Sequence, residues 1–156
     1  MTLFQIEQHI LESILQDPET FFDIDSTDKK YNLINIDKSW DGIKFLLSNE
    51  NDINQNINAS KIISSGQTIG ELEEYDISEA NFLTADQVKE CVVDLEKITE
   101  NHLRGNFDPK TMNESDVYCS PFDATSFDYL FENYQKIKSF YFEAGQFNKA
   151  VISYVS

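Results

Sequence analysis

The sequence is short of basic residues, glycine, proline and long apolar runs. Its 156 residues include 12 lysines and arginines against 28 aspartates and glutamates, which gives a formal net charge of −16. Nucleic acids and anionic membranes are bound mainly by clustered basic side chains, so this deficit argues against sequence-independent binding to either. Five glycines and three prolines exclude a collagen-like or linker-like chain. No apolar run approaches the ~20 residues of a membrane-spanning helix.

Cysteine and histidine are equally scarce. Cys91 and Cys119 lie far apart and only His9 and His102 accompany them, so no zinc-ligand spacing occurs. The sequence also has no phosphate-binding glycine loop, metal-binding helix motif or nucleophile elbow. We therefore predict no metal, no other cofactor and no catalytic residue. The N-terminus lacks the basic segment and cleavage site of a signal peptide, so we expect a cytoplasmic protein with reduced thiols.

What the chain does contain is apolar and aromatic residues. Hydrophobic residues make up 40% of it, with 12 phenylalanines and seven tyrosines. A chain of this length buries roughly 70% of its unfolded surface as one domain, here residues 1–156. The pattern of segments predicts an α+β fold, a small mixed or antiparallel sheet with several helices packed on it.

The N-terminal part of the chain is predicted to hold two helices. Apolar residues at helical spacing predict a first helix that begins within a few residues of Met1 and ends before Pro18. Residues 31–36 are a short strand or an extended lead-in to the second helix. That helix is predicted to begin after a capping Asp37 and to anchor itself in the core through Trp40.

The later segments give stronger signals. Residues 61–69 predict a β-hairpin, and residues 84–87 (TADQ) form a capping box that starts a helix with Cys91 on its buried face. Aromatic residues at helical spacing over 127–141 predict a helix of about five turns that ends near a glycine. Residues 150–155 are predicted to form a strand in the middle of the sheet.

This ordered set of segments resembles the YfbM-like family, small bacterial proteins that share a domain of unknown function. It comprises INIDKSWDGIKFLL, SKIISSGQTIG, ANFLTADQVKECVVDLEKI, FDPKTM…VY, the long aromatic helix and AVISYVS, over about residues 35–156. The resemblance implies the fold and a bacterial cytoplasmic setting, but no activity. Members open with a short strand, for which the predicted N-terminal helix leaves no place, and often have a histidine where this chain has Asp41 and Lys44.

Two acidic clusters point to a basic protein partner. One helix face carries acids four residues apart, although like charges at that spacing cost a helix ~0.2–0.5 kcal/mol per pair. The other cluster is an acidic connector at 71–76. Tyr129 and Phe140 lie off the main stripe of the long helix, where they either touch a second core element or are exposed contact aromatics. The predicted partner-binding residues are Asp41, Glu73, Glu74, Tyr75, Asp76, Asp86, Glu90, Asp94 and Tyr118.

We therefore expect a non-enzymatic acidic binding protein. The gene context of some members of the family implies an immunity protein that blocks a basic toxin. Two alternatives remain open: a charged surface that serves only solubility, and a small-molecule or regulatory domain with a pocket near Trp40 and Tyr118. A hydrolase that uses the paired carboxylates Asp37 and Asp41 ranks last.

Overall fold

The computed structural model describes residues 1–24, 28, 31–48, 57–70 and 80–155. The strands are β1 (Thr2–Glu7), β2 (Leu33–Asn35), β3 (Thr68–Ile69), β4 (Ala80–Leu83) and β5 (Lys149–Tyr154). The helices are α1 (Gln8–Gln16), α2 (Trp40–Leu47), α3 (Ile57–Lys61), α4 (Ala85–Lys97), α5 (Glu100–Asn106), α6 (Pro109–Glu114) and α7 (Ser126–Gln146). A 3-10 helix, Pro18–Asp23, follows α1. Among the described residues, no helix combines the length and apolarity that crossing a membrane requires.

The strands form one open antiparallel sheet in the order β2-β1-β5-β4-β3, which confirms the α+β prediction. β5 lies in its middle, as predicted. Because side chains alternate along a strand, β1 sends Leu3 to one face and Phe4 to the other. Both residues are buried, so the sheet is covered on both sides.

The helices divide between the two faces. The larger core lies under α2, α4 and α7, where Leu3 and Val151 of the sheet meet apolar residues such as Leu130. The smaller core lies under α1 and the 3-10 helix, around Phe4 and Ile152. α7 contributes eight buried residues to the fold, which agrees with its prediction as the strongest helix.

The predicted helix at the N-terminus is partly wrong. Residues 2–7 form β1, and α1 begins only at Gln8. β1 pairs with β2 on one side and along its full length with β5 on the other, and helices cover both of its faces, so residues 2–6 are buried. A surface helix at this place would bury only one stripe. The N-terminal strand expected from the YfbM-like resemblance is therefore present here.

The hairpin predicted over residues 61–69 is also wrong. Lys61 ends α3, and only Thr68–Ile69 is a strand, which pairs with β4 and not with residues 61–65. The turn itself exists, with Gly66 at a φ of 73° that favours glycine. The capping box is confirmed: the Thr84 hydroxyl accepts from the Gln87 amide, and the Gln87 side chain accepts from the Thr84 amide.

Candidate functional site

The acids predicted on the outer face of α4 are largely paired within the helix. Lys89 lies 3.1 Å from Asp86, and Lys97 lies 2.8 Å from Asp94. The Asp94 side chain is only 14% exposed, so it is not a free contact residue. Glu90 is exposed. The face therefore carries less net charge than its acids alone suggest.

The acidic connector is not part of the described structure. Glu73, Glu74, Tyr75 and Asp76 lie outside the described residues, and their role stays a prediction.

The other two predicted residues come together. A carboxylate oxygen of Asp41 accepts a hydrogen bond of 2.8 Å from the backbone amide of Tyr118. The Tyr118 ring stacks on the indole of Trp40, with 5.7 Å between ring centroids and 29° between planes. Tyr118 is nonetheless 48% exposed. The indole packs against the larger core and at the same time supports an exposed tyrosine.

Asp37 does not cap α2, which corrects the prediction. α2 begins at Trp40 after a turn, and Ser39 stands at the cap position without a side-chain cap bond. The Asp37 carboxylate instead accepts from the Tyr129 hydroxyl at 2.9 Å. Burial and this neighbouring carboxylate raise the pKa of Tyr129 to about 12. Of the two aromatics off the main stripe, Tyr129 is 40% exposed and Phe140 is buried in the core, so each of the two alternatives holds for one residue.

These contacts define one surface, which we call the Tyr118 patch: Asp37, Trp40, Asp41, Tyr118 and Tyr129. The patch joins the start of α2, the loop before α7 and the first turn of α7. Tyr118 and Tyr129 are its exposed aromatic side chains, and Asp37 and Asp41 are the carboxylates beside them.

The backbone around the Tyr118 patch is held in costly conformations. Asp37, Asp116 and Cys119 have φ values of 49°, 51° and 74°, in the left-handed region. Each such residue costs about 1–3 kcal/mol and persists only where the surroundings enforce it. Two hydrogen bonds between the Asn113 side chain and the Phe122 backbone clamp the ends of the loop. The fold therefore fixes the patch before any partner arrives.

A cavity of about 350 Å³ lies beside the patch and shares Trp40 with it. Its lining includes Trp40, Lys44, Ile63, Ser64, Asn81 and Ser153. Tyr118 is not among the described lining residues, so the pocket predicted near Trp40 and Tyr118 is built by Trp40 alone of the two.

A larger groove of about 860 Å³ follows one side of α7. Several of its polar groups are already bonded: Lys138 donates to the Ile98 carbonyl, and Glu100 pairs with Arg104. The Tyr134 hydroxyl has no hydrogen-bond partner among the described residues, but it is sealed from solvent, and burial raises its pKa. The groove thus has a lining of mixed apolar and polar side chains.

Nothing in the described part of the chain groups three side chains suited to holding a metal ion. The two thiols are not bridged: Cys91 is buried and Cys119 is exposed. Burial raises the pKa of Cys91 to about 12, so it stays a protonated core residue at neutral pH.

The carboxylates of Asp37 and Asp41 are each hydrogen-bonded to a neighbouring segment. The chemistry this arrangement favours is the binding of cationic groups.

The family is decided by a match along nearly the whole chain. Residues 1–154 match the family described as "Domain of unknown function (DUF1877)". The chain belongs to this family. YfbM from Escherichia coli, whose crystal structure is described as that of a protein of unknown function, has the same fold with a TM-score of 0.73 at 19% identity. The match covers 99% of this chain and 98% of YfbM, which confirms the YfbM-like resemblance. A comparison with curated proteins gives no match.

Proposed function

We propose that this chain is a non-enzymatic, cytoplasmic binding protein that docks a basic protein partner through the Tyr118 patch, as an immunity protein does when it blocks a basic toxin. The observation that supports this proposal is the pairing of two exposed tyrosines with two fixed carboxylates on a chain of net charge −16. Arginine and lysine side chains fit such a surface, because they bind both carboxylates and aromatic faces.

The energetics favour a few strong contacts at the patch. A cation over an exposed aromatic ring contributes about 0.5–1 kcal/mol, and about 2 kcal/mol when the contact is desolvated. Tyrosine and tryptophan are enriched among residues that dominate binding energy. Because the left-handed residues and the clamp at Asn113 already fix the loop, little conformational entropy is lost on docking.

The remaining acids act at longer range. Exposed charges that do not touch the partner speed its diffusional encounter more than they strengthen the complex. Glu90 on α4 belongs to this class, because it is exposed between Asp86 and Asp94, which are each paired with a lysine of the same helix. The field is screened by salt within about 10 Å at ~0.1 M ionic strength.

The test uses the product of the gene next to the one that encodes this chain, expressed and purified as a defined ligand. Surface plasmon resonance would compare the wild type with Tyr118→Ala and Tyr129→Ala. Phe147→Ala is the matched control, because Phe147 is 59% exposed and follows the far end of α7. We expect each tyrosine variant to weaken binding by about tenfold or more through faster dissociation, and the control to leave it unchanged.

Electrostatics give a second readout of the same complex. Glu90→Lys is expected to slow association without changing dissociation, and rising salt is expected to slow association of the wild type. Equal binding by Tyr118→Ala and the wild type would reject the patch as the docking surface. An association rate that does not change with salt concentration would reject the electrostatic part of the proposal.

A second candidate function is the binding of a small molecule, favoured by the cavity beside Trp40. Its volume of about 350 Å³ lies within the range of ligand pockets, about 300–1,000 Å³. The cavity and the Tyr118 patch share Trp40. The described lining residues of the cavity do not include Tyr118 or Tyr129.

A further inference from the structure

The cavity beside Trp40 lies against two buried polar residues of the sheet, Ser153 and Asn81. Ser153 of β5 pairs directly with Asn81 of β4. Val151 and Leu83, two residues along the same strands, pack in the larger core, so Ser153 and Asn81 face the same side. At this end of the sheet face, a row of two polar side chains therefore points toward α2.

α2 supplies the opposite wall. Trp40 and Lys44 are four residues apart, so they lie on one face of the helix, and both line the cavity. Ser64, after α3, completes the polar part of the lining, and Ile63 adds apolar surface beside the indole. Lys44 is the one basic side chain among the described lining residues, and the Met1 amino group, whose residue also lines the cavity, already donates to the Asp37 carbonyl at 2.9 Å.

The free polar groups of this lining are mostly donors. The Asn81 oxygen accepts from the Ser65 hydroxyl at 3.5 Å, which leaves the amide nitrogen of Asn81 to donate elsewhere. The Lys44 ammonium, the Asn81 amide nitrogen and the hydroxyls of Ser64 and Ser153 have no hydrogen-bond or ion-pair partner among the residues that the structure describes. Groups that donate into a partly enclosed cavity favour an occupant rich in acceptors.

We infer that this cavity binds a small organic monocarboxylate with a flat apolar body, its carboxylate on Lys44, Asn81 and Ser153 and its body against Trp40. The inference rests on the small-molecule candidate function. A single basic side chain in the lining suits a single negative charge, and the net charge of −16 opposes ligands with two. The indole and Ile63 give the apolar body a surface that a free inorganic anion would not use.

Trp40 makes the test direct, because it is the chain's single tryptophan and lines the cavity. Benzoate would be titrated while tryptophan emission is recorded, with excitation at the red edge of the absorption band. Benzamide, a neutral molecule of nearly the same shape, would be titrated in parallel. We expect a saturable change with benzoate and binding of benzamide weaker by about tenfold or more, the scale of one hydrogen bond to a charged group.

Two variants with the same chemical change locate the carboxylate. Lys44→Met is expected to weaken benzoate binding by about tenfold or more, because it keeps most of the apolar stem and removes the charge. Lys38→Met removes the same charge from an exposed residue outside the described lining and is expected to leave binding unchanged. Ser153→Ala, which removes only a hydroxyl, is expected to weaken benzoate more than benzamide. Far-ultraviolet circular dichroism verifies that each variant is folded.

The outcomes separate the two levels of the inference. Equal binding of benzoate and benzamide, or equal effects of Lys44→Met and Lys38→Met, would reject the carboxylate while the small-molecule function stands. No saturable change with either ligand, for a folded wild type, would reject both. Neither result bears on the Tyr118 patch, whose test uses other residues and another ligand.

Discussion

The outer face of α4 and the Tyr118 patch are both acidic surfaces, yet they are built differently. On α4 the acids at 86 and 94 are each bonded to a lysine three residues along the same helix. In the Tyr118 patch, Asp41 and Asp37 reach residues 77 and 92 positions away in the chain. One surface is partly neutralised by lysines of its own helix, whereas the other uses its carboxylates to hold exposed aromatic residues in place.

This difference between the two surfaces shows that a row of acids in a sequence does not by itself identify a binding site. Exposed ion pairs between residues three or four apart contribute only about 0.3–0.5 kcal/mol and are screened by salt. An exposed ring fixed by a hydrogen-bonded carboxylate presents both charge and apolar area at a defined position. We therefore weight the Tyr118 patch above α4 as the contact surface, and the predictions below test how the segments that carry these surfaces are held in the fold.

The largest expected difference between the two regions is the reactivity of their thiols. Cys91 lies on the inner face of α4, and Cys119 lies exposed next to Tyr118. We expect Cys119 to react with Ellman's reagent at the rate of a free thiol. Cys91 should react at least about a thousandfold more slowly, because its exposure requires opening of the core and burial keeps it protonated. Stopped-flow absorbance measures both rates.

Cys119→Ser is the control for this measurement. It should remove the fast phase and leave a single thiol that reacts only in denaturant. Two fast equivalents in the native protein would contradict the placement of Cys91 in the core.

The second prediction tests what holds the Tyr118 patch to the core. α2 approaches α7 closely at Gly42, where an added Cβ would lie 2.7 Å from a Leu130 methyl group. Gly42→Val should therefore lower the free energy of unfolding by about 1–3 kcal/mol through overpacking. It should also change the emission of Trp40, because α2 carries the indole. Urea unfolding followed by circular dichroism and fluorescence measures both effects.

The matched control is Gly105→Val, the same substitution in α5. A Cβ at Gly105 would meet nothing within 4 Å. Its effect on stability should stay within about 0.5 kcal/mol. A similar loss at both glycines would show that close packing at Gly42 is not what positions α2.

The elements predicted correctly are those whose signals are local. The capping box at Thr84 and the aromatic stripe of α7 each lie within one element and need no distant partner. Leu3 and Ile6 of β1 also fit helical spacing, so the local pattern predicts a helix there. Its real determinants are the strands beside it, and the register that sets Thr2 against Tyr154 joins opposite ends of the chain.

In the Tyr118 patch, too, only the features with local signals could be predicted from the sequence. Asp41 and Tyr118 could be singled out in the sequence as an acid and an aromatic without core spacing, but no local pattern predicts their hydrogen bond. Its position before α2 predicts that Asp37 caps the helix, because aspartate is preferred at helix N-caps. Its left-handed backbone and its bond to Tyr129 depend on where α7 packs. The polar row of Asn81 and Ser153 likewise exists only through strand register.

The smallest expected effect is the most direct comparison of the two surfaces. Asp41 and Asp86 both lie in the first turn of a helix, so both gain similar stabilisation from the helix dipole. Asp41→Ala additionally removes the acceptor of the Tyr118 amide, whereas Asp86→Ala removes only an exposed ion pair with Lys89. We therefore expect Asp41→Ala to cost about 1 kcal/mol more than Asp86→Ala in urea unfolding. Asp41→Asn should recover part of that difference, since its amide oxygen still accepts the hydrogen bond from Tyr118. Equal costs for the two alanine variants would mean that the Tyr118 patch is no more ordered than the face of α4.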